Sequence, residues 1–268
     1  MPAELCPSVR RRADFFTKEG VTPMSIKALV LAAGKGTRLQ SEGVDLPKVM
    51  RSALGEPLLH YVLQEIAFIP KEDTILVVGY QREKVTAHFS DYPFAVQEEQ
   101  KGTGHAVKAA REFLTGGDFP VLVCYGDMPL LRRETYEDLV RVHEREQNSC
   151  TILTGTSDLA LPFGRILRDA TGNFREVVED KDCTPEQKAI RELNVGVYVF
   201  QSQALLSALD QLGCANRQGE YYLTDVPAIL LAEGRRIGLC QRELGDEIIG
   251  VNTIEQLHQV EEVLKKRH

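Results

Sequence analysis

Continuous apolar runs alternate with amphipathic segments along the first half of the chain. Three apolar runs each reach a glycine, at Gly34, Gly79 and Gly126: KALVLAAG (27–34), DTILVVGY (73–80) and FPVLVCYGDMPL (119–130). Between them, PLLHYVLQEIAF (57–68) and the segment from Arg82 have helical periodicity, and FAVQEEQKGTGHAVKAAREFL (94–114) passes from strand through glycines into a helix. Strands buried on both faces and separated by helices predict an α/β fold with a doubly wound, mostly parallel sheet.

The second half of the chain has a different pattern. CTILTGTSD (150–158), GRILRD (164–169), FREVVEDKD (174–182) and LNVGVYVF (193–200) are shorter strands in which apolar and polar residues partly alternate. This alternation is typical of antiparallel strands with one exposed face, so we expect a mixed sheet and a smaller lobe here. Thr253 and Gln256 form a T-x-x-Q capping box, which predicts a C-terminal helix over 253–267.

The net charge and the cysteine pattern argue against a nucleic-acid-binding protein and against a metal site built from cysteines. The formal net charge of -7 gives no basic footprint for nucleic acid, so an anionic ligand would need locally focused positive charge. The six cysteines are scattered without metal-ligand spacing, which is typical of reduced thiols in a cytoplasmic protein. Residues 1–24 lack the apolar segment of a signal peptide, and we expect a poorly ordered extension without a role and no membrane association.

The first strand leads into a glycine-rich loop with several cations. Gly34 and Gly36 flank Lys35, and Arg38 and Lys48 follow. The loop matches neither the G-x-x-x-x-G-K-[ST] nor the G-x-G-x-x-G pattern. An isolated G-x-G is usually a plain strand-to-helix turn, but three cations after a buried strand favour a triphosphate site.

Asp127 follows a buried strand directly. A carboxylate at such a strand end can meet both a ligand and a hard cation, although GDMP is also a plausible turn that the aspartate would cap. Asn252 lies just before the predicted C-terminal helix, on a loop that can face the same point.

Nine segments of the chain occur in the order seen in the N-acetylglucosamine-1-phosphate uridyltransferase family, which they resemble. QKGTGHAV and QGEYYLTD are more specific than the glycine loop; the others are LAAGKGTR, LPKV, YGDMPL, FGRI, VVEDKD, ELNVGVY and GVN. The resemblance covers about residues 26–268 and implies a Rossmann-like nucleotidyltransferase fold. Family members usually continue into a hexapeptide-repeat acetyltransferase. No hexapeptide repeats occur in these 268 residues, so we expect the uridyltransferase part alone, whether natural or truncated. Because the acetyltransferase part drives trimerisation in the family, we favour a monomer.

The resemblance also implies a reaction and the residues that carry it. UTP and N-acetylglucosamine 1-phosphate would give UDP-N-acetylglucosamine and pyrophosphate with Mg²⁺ as cofactor, and no nucleic acid or membrane partner is expected. A phosphate monoester is largely a dianion near neutrality, with a second pKa of about 6, so no general base is required. The implied catalytic residues are Arg38, Lys48 and Asp127, and the implied metal ligands are Asp127 and Asn252.

The resemblance also implies two sets of binding residues. The nucleotide set belongs to a part over 25–150, with Gln97 and Gly102 reading uracil; it comprises Ala32, Ala33, Gly34, Lys35, Gly36, Gln97, Gly102, Thr103, Tyr125 and Gly126. The sugar-phosphate set belongs to a part over 151–250 and comprises Gly164, Glu179 and Asn194. Taken singly, Gln97 would be an exposed polar residue at a strand end and Glu179 part of a solvated charge run. His105 is expected to be structural or orienting.

Three alternatives remain open at this point. The acceptor could be another sugar 1-phosphate, such as a glucose or N-acetylgalactosamine derivative. A cytidylyltransferase for a methylerythritol-type phosphate shares AAGxGxR and PK, but is not expected to carry GTGHA with GEYYLTD. A non-catalytic sugar-nucleotide sensor is disfavoured because Arg38, Lys48, Asp127 and Asn252 occur together. The segment 39–46, which separates Arg38 from Pro47 and Lys48, is longer than usual in the family.

Overall fold

The computed structural model describes residues 26–36, 45–156 and 161–267. The predicted extension at 1–24, Arg38 and most of the long loop at 39–46 lie outside these ranges. In the first half, the strands are β1 (Lys27–Ala32), β2 (Ser52–Ala53), β3 (Glu56–Pro57), β4 (Thr74–Val78), β5 (Phe94–Val96) and β6 (Pro120–Tyr125). The helices are α1 (Leu58–Glu65), α2 (Arg82–His88), α3 (Thr103–Ala109) and α4 (Arg133–Glu146).

The second half continues with strands β7 (Cys150–Thr156), β8 (Gly164–Arg168), β9 (Phe174–Val178), β10 (Glu192–Gln201) and β11 (Ile237–Arg242). Its helices are α5 (Pro185–Lys188), α6 (Ser202–Leu209), α7 (Val226–Ala232) and α8 (Ile254–Arg267). The predicted strands and the C-terminal helix are therefore present. Strand β11, whose apolar residues are separated by Gly238 and Gln241, was not predicted.

One mixed sheet carries the fold, in the order β11-β7-β10-β6-β1-β4-β5, with β8 and β9 branching from β10. Strands β5, β4, β1 and β6 are parallel, whereas β10 is antiparallel to both β6 and β7. Strands β4 and β5 thus lie on one side of β1, and β6 lies on its other side. Ligands of open α/β sheets bind at such a switch point, outside the carboxyl ends of the strands. The predicted doubly wound, mixed α/β fold is confirmed.

Apolar layers cover both faces of the sheet. Ala28 and Val30 of β1 face a cluster that includes residues of α1 and α4, whereas Leu29 and Leu31 face one that includes residues of α3, α6 and α7. Because successive strand residues point to opposite faces, a strand covered on both faces must be apolar throughout. This accounts for the continuous apolar run of β1.

A third apolar cluster holds the C-terminal helix. Val260 and Leu264 of α8 pack with Leu58 and with Ala53 of the β2–β3 hairpin. Val251 belongs to the same cluster, and Ile254 and Leu257 pack against it, so the cluster also holds the start of α8 and the loop that carries Asn252. Among the described helices, none is long and apolar enough to cross a membrane.

Candidate active site

A cavity of about 360 Å³ opens at the carboxyl-terminal ends of the central strands. Each strand contributes the residues that immediately follow it, as the switch-point rule predicts. The lining includes Ala33, Gly34 and Gly36 after β1, Gln97 after β5, Tyr125 and Asp127 at the end of β6, and Gly102, Thr103, Lys48 and Asn252 from loops. These ten residues were all assigned to the site from the sequence, and their roles there stay predictions.

A second cavity of about 180 Å³ adjoins the first on the side of β8, β9 and β10. Gly164, Glu179 and Asn194, the residues assigned to the sugar phosphate, all line it. Tyr125, Asp127 and Asn252 line both cavities. Two ligands, one in each cavity, would therefore meet beside these three side chains.

Lys48 lies at the junction of the two cavities. Its ammonium forms an ion pair with Asp127 and donates to Asn252 Oδ1 at 2.8 Å. Gly36, at φ +63°, makes this position possible, because a β-carbon there would lie 2.7 Å from Lys48 Cβ. The glycine loop thus allows the lysine to approach, despite the long segment between them.

Asp127 and Asn252 direct oxygen atoms at the same cation. Val251 N donates to Asp127 O at 3.0 Å, which fastens the Asn252 loop to the end of β6. The predicted capping box is present, since Gln256 N donates to Thr253 Oγ1 at 3.3 Å and Thr253 N to Gln256 Oε1 at 3.1 Å. A carboxylate and an amide oxygen that converge on one positive charge suit Mg²⁺, which takes its remaining ligands from phosphates and water.

Within the described ranges, no group of three or more His, Cys, Asp or Glu side chains is arranged to hold a metal. A dication held by the oxygens of Asp127 and Asn252 would therefore need further ligands, which substrate phosphates and water can supply.

The segments GTGHA and GEYYLTD form a single backbone unit beside the first cavity. Tyr221 N donates to Lys101 O at 2.8 Å, and Gly104 N donates to Tyr221 O at 2.8 Å. Gly102 has φ +105°, and a β-carbon there would lie 2.5 Å from Tyr221 O. The two most specific sequence motifs therefore depend on each other structurally, which sequence reasoning did not detect.

Gln97 is held rigidly at the wall of the first cavity. The residue is 3% exposed, and its Nε2 lies 3.1 Å from Gly102 O and 3.1 Å from His105 Nδ1. Thr103 follows at the start of α3, where its Oγ1 accepts from Leu223 N at 3.1 Å. Gln97 is therefore not the exposed strand-end residue that its sequence position alone would indicate.

Tyr125 separates the two cavities. Burial raises the pKa of its phenol well above the ordinary value, nearby Glu179 and Asp127 raise it further, and a hydrogen bond with Thr103 opposes them. The ring packs on Gly196 in β10, where φ is +85° and a β-carbon would lie 2.4 Å from Tyr125 Cε2. Tyr125 is consequently a neutral hydroxyl at physiological pH, and its position requires glycine at 196.

Asn194 combines a structural role with its place in the second cavity. Its Oδ1 accepts from Gly196 N at 3.2 Å and from Tyr198 Oη at 3.0 Å, and its Nδ2 donates to Tyr198 Oη at 2.7 Å. These bonds span the register shift of β10 between Asn194 and Tyr198. Gly164 pairs with Asn194 across β8 and β10.

Glu179 lies at the end of β9 and accepts from Thr224 Oγ1 at 2.9 Å. Burial raises the pKa of its carboxyl group; the Thr224 hydrogen bond lowers it, while Asp225, Asp182 and Asp180 raise it. Glu179 is thus a partly buried carboxylate rather than part of a solvated charge run.

Three of the predicted residues, Ala32, Gly126 and Lys35, do not line either cavity. Ala32 is buried in β1, and Gly126 donates its N–H to Leu31 O at 3.0 Å, so both are backbone neighbours of the cavity. Lys35 lies over the Tyr80 ring at 5.3 Å and does not line either cavity. Arg38 lies outside the described residues.

Several lining residues were not predicted. Gln100, Glu220 and Gly196 line the cavities without having been assigned a role. Gly196 could have been found, because a glycine inside a strand pattern indicates a bulge or a close approach. Glu220 belongs to a motif that was noticed but given no position in the site.

Comparison with known proteins identifies the class. The family profile described as nucleotidyl transferase matches residues 27–244, and the chain belongs to this family. The bifunctional protein GlmU of Clostridium novyi (strain NT) is 42% identical over 242 residues, which are 90% of this chain and 52% of that protein. GlmU of Syntrophotalea carbinolica is 41% identical over 244 residues, with the same coverage of 90% and 52%. The chain thus spans about half the length of these relatives.

A solved structure supports the fold independently. UDP-glucose pyrophosphorylase complexed with UDP-glucose superposes with a TM-score of 0.70 at 18% identity, covering 91% of this chain and 100% of that chain. At this identity the likeness concerns the fold, and it agrees with the predicted Rossmann-like nucleotidyltransferase architecture.

Proposed function

We propose that the protein transfers a uridylyl group from UTP to N-acetylglucosamine 1-phosphate, releasing pyrophosphate. The observation that carries the proposal is the pair of adjoining cavities with Tyr125, Asp127 and Asn252 in common. A nucleotide in the larger cavity and a sugar phosphate in the smaller one would place an attacking phosphate oxygen beside the α-phosphorus. Such alignment of two reactants supplies a large part of the rate enhancement.

The chemistry suits a site without a general base. The sugar phosphate is largely a dianion near neutrality, because its second pKa is about 6, so its oxygen can attack directly. What the site must supply is positive charge, because phosphoryl transfer depends on positioning and electrostatic stabilisation. Lys48 supplies one positive charge at the junction, while Asp127, Glu179 and Glu220 bring negative charge to the linings.

Asp127 and Asn252 would hold Mg²⁺, which when bound stabilises negative charge on the phosphates and orients them. The Lys48 ammonium contacts these same oxygens, so it would have to leave them when a dication binds there. The lysine side chain would then be able to contact a phosphate. We therefore assign Lys48 to the phosphates and Asp127 to the metal, with Arg38 proposed as a second phosphate-binding cation.

The sugar assignment depends on the second cavity. Glu179 offers a carboxylate oxygen to a sugar hydroxyl, and Gly164 and Gly196 let the backbone approach the ligand closely. The acceptor N-acetylglucosamine 1-phosphate follows from the resemblance of the ordered motifs. A glucose or N-acetylgalactosamine 1-phosphate is the alternative.

A panel of substrates tests the proposal. Pyrophosphate release is measured with UTP, CTP, ATP and dTTP, each paired with the 1-phosphates of N-acetylglucosamine, glucose and N-acetylgalactosamine. We expect the highest kcat/KM for UTP with N-acetylglucosamine 1-phosphate. Highest activity with CTP would refute the base assignment, a preference for glucose 1-phosphate would refute the sugar assignment, and inactivity throughout would favour the sensor alternative.

A further inference from the structure

His105 lies outside the linings of both cavities but contacts a residue that lines the larger one. Its Nδ1 is 3.1 Å from Gln97 Nε2, and its ring lies 6.3 Å from that of Tyr221 at an interplanar angle of 32°. We infer that His105 is a positioning residue that fixes the Gln97 amide so that the site selects uracil over cytosine. The inference rests on the proposed use of UTP and identifies a residue that sets this specificity.

The Gly102 carbonyl determines which end of the Gln97 amide faces it. A backbone carbonyl can only accept, so the amide atom 3.1 Å from Gly102 O must be the donor, Nε2. That amide group has a second hydrogen, and His105 Nδ1 is its acceptor at 3.1 Å. The ring hydrogen of His105 is therefore on its own Nε2. Both hydrogens of the Gln97 amide are therefore committed to acceptors within the protein.

This arrangement leaves the Gln97 carbonyl oxygen as the amide atom available to a base. At Gly102, the carbonyl accepts from Gln97 and also from Ala106 N at 3.1 Å, so the N–H is the group left for a ligand. An acceptor beside a donor complements the N3–H and O4 of uracil. Cytosine presents a bare N3 and an amino group at these positions, so both contacts are mismatched.

His105 is needed because the Gln97 amide is buried. At 3% exposure, an unpaired amide hydrogen on Gln97 cannot readily turn to water, so loss of the acceptor would favour rotation of the side chain. Rotation would move the carbonyl oxygen away from N3–H and weaken discrimination between the bases. A role in packing alone would depend on the ring of His105 and not on Nδ1.

Two substitutions of His105 separate its role as a hydrogen-bond acceptor from a role in packing alone. His105→Phe keeps a planar ring against Tyr221 but removes the acceptor. His105→Asn removes the ring but places an amide oxygen near the former Nδ1. The measurement is the ratio of kcat/KM for UTP to that for CTP, together with the dissociation constants of both nucleotides and the Tm of each variant.

We expect His105→Phe to lower the selectivity ratio about tenfold or more, and His105→Asn to retain it within about threefold. An unchanged ratio in His105→Phe, or an equal loss in both variants, would overturn the inference while leaving the proposed function intact. A wild-type protein that does not prefer UTP would overturn both. Nucleotide binding constants give the same comparison if a variant turns over slowly.

Discussion

Lys48 connects the glycine loop to the residues shared by the two cavities. Its ammonium contacts oxygens of both Asp127 and Asn252, and Gly36 provides the space for its side chain. A lysine paired in this way neutralises a carboxylate that would otherwise repel incoming phosphates. The same oxygens are those proposed for the metal, so under this proposal Mg²⁺ would replace the Lys48 ammonium at these oxygens when substrates bind.

Substitution of the two proposed metal ligands should have unequal effects. Asp127→Ala should lower kcat by about 100-fold or more, and Asn252→Ala should have a milder effect, because a neutral oxygen binds a hard dication less strongly than a carboxylate does. Added Mg²⁺ should partly restore both variants. Steady-state rates over a magnesium titration, together with Mn²⁺ binding followed by electron paramagnetic resonance, provide the measurement.

Asp91→Ala is the matched control for Asp127. Asp91 also pairs with a lysine, Lys71 at 3.1 Å, but the pair is exposed and lines neither cavity. An exposed ion pair contributes little to stability, so this variant should retain activity within about twofold. A folded Asp127→Ala protein with normal turnover at ordinary Mg²⁺ would place the metal elsewhere.

Glu179 should reduce the stability of the folded protein near neutral pH. Its raised pKa means that the folded state binds the proton more tightly than the unfolded state, so stability falls as pH rises through the folded-state pKa. Glu179→Gln should therefore raise the Tm at neutral pH, by on the order of 2 °C, and have less effect at pH about 4. Thermal unfolding at both pH values checks this sign.

The same substitution should impair sugar binding. Glu179→Gln is expected to raise KM for the sugar phosphate more than KM for UTP, because Glu179 lines only the smaller cavity. Asn194→Ala should act in the same direction and also destabilise the protein, since it removes the bonds to Gly196 and Tyr198. An effect of Glu179→Gln confined to UTP would require the second cavity to be reassigned.

At the scale of elements, the irregular part of β10 shapes the site. Gly196 has a positive φ and lies against the Tyr125 ring, while Asn194 bonds across the register shift. A regular strand would place a side chain where the Tyr125 ring lies. The bulge therefore lets β10 serve both as a central strand of the sheet and as a wall of the smaller cavity.

Gly196→Ala should destabilise the folded protein for two reasons, which a control substitution can separate. The substitution adds backbone strain at φ +85° and a contact of 2.4 Å with Tyr125, whereas Gly172→Ala adds similar strain at φ +87° with no atom within 4 Å. We expect Gly196→Ala to lower the free energy of unfolding by about 1–3 kcal/mol more than Gly172→Ala does, measured by urea denaturation. Equal losses of unfolding free energy in the two variants would show that the Tyr125 ring can move aside without destabilising the protein.

The sequence predicted regular elements better than irregular ones, for physical reasons. Strands β1, β4 and β6 are covered on both faces, so their apolar runs are unambiguous, and the capping box before α8 is a local signal. Strand β11 has no such run. The pairing of Tyr221 with Lys101 and Gly104, and the stacking of Lys35 on Tyr80, depend on residues distant in the chain or on loop geometry, so local patterns could not reveal them.

At the scale of the whole molecule, one continuous sheet carries both cavities. Strands β5, β1 and β6 bring the residues of the larger cavity, and β8, β9 and β10 bring those of the smaller one. Strand β10 pairs directly with β6, whose end carries Tyr125 and leads into Asp127. The two proposed substrates are therefore positioned by adjacent strands of the same sheet, which suits a reaction that demands in-line alignment.

Competition among substrates tests the central claim most directly. Wild-type protein is incubated with Mg²⁺, equal concentrations of UTP, CTP, ATP and dTTP, and equal concentrations of the 1-phosphates of N-acetylglucosamine, glucose and N-acetylgalactosamine. Early products are separated by chromatography and identified by mass. The account predicts that UDP-N-acetylglucosamine forms predominantly, with one pyrophosphate released for each molecule. Predominant formation of a CDP-linked or glucose-linked product, or of no nucleotide sugar at all, would contradict it.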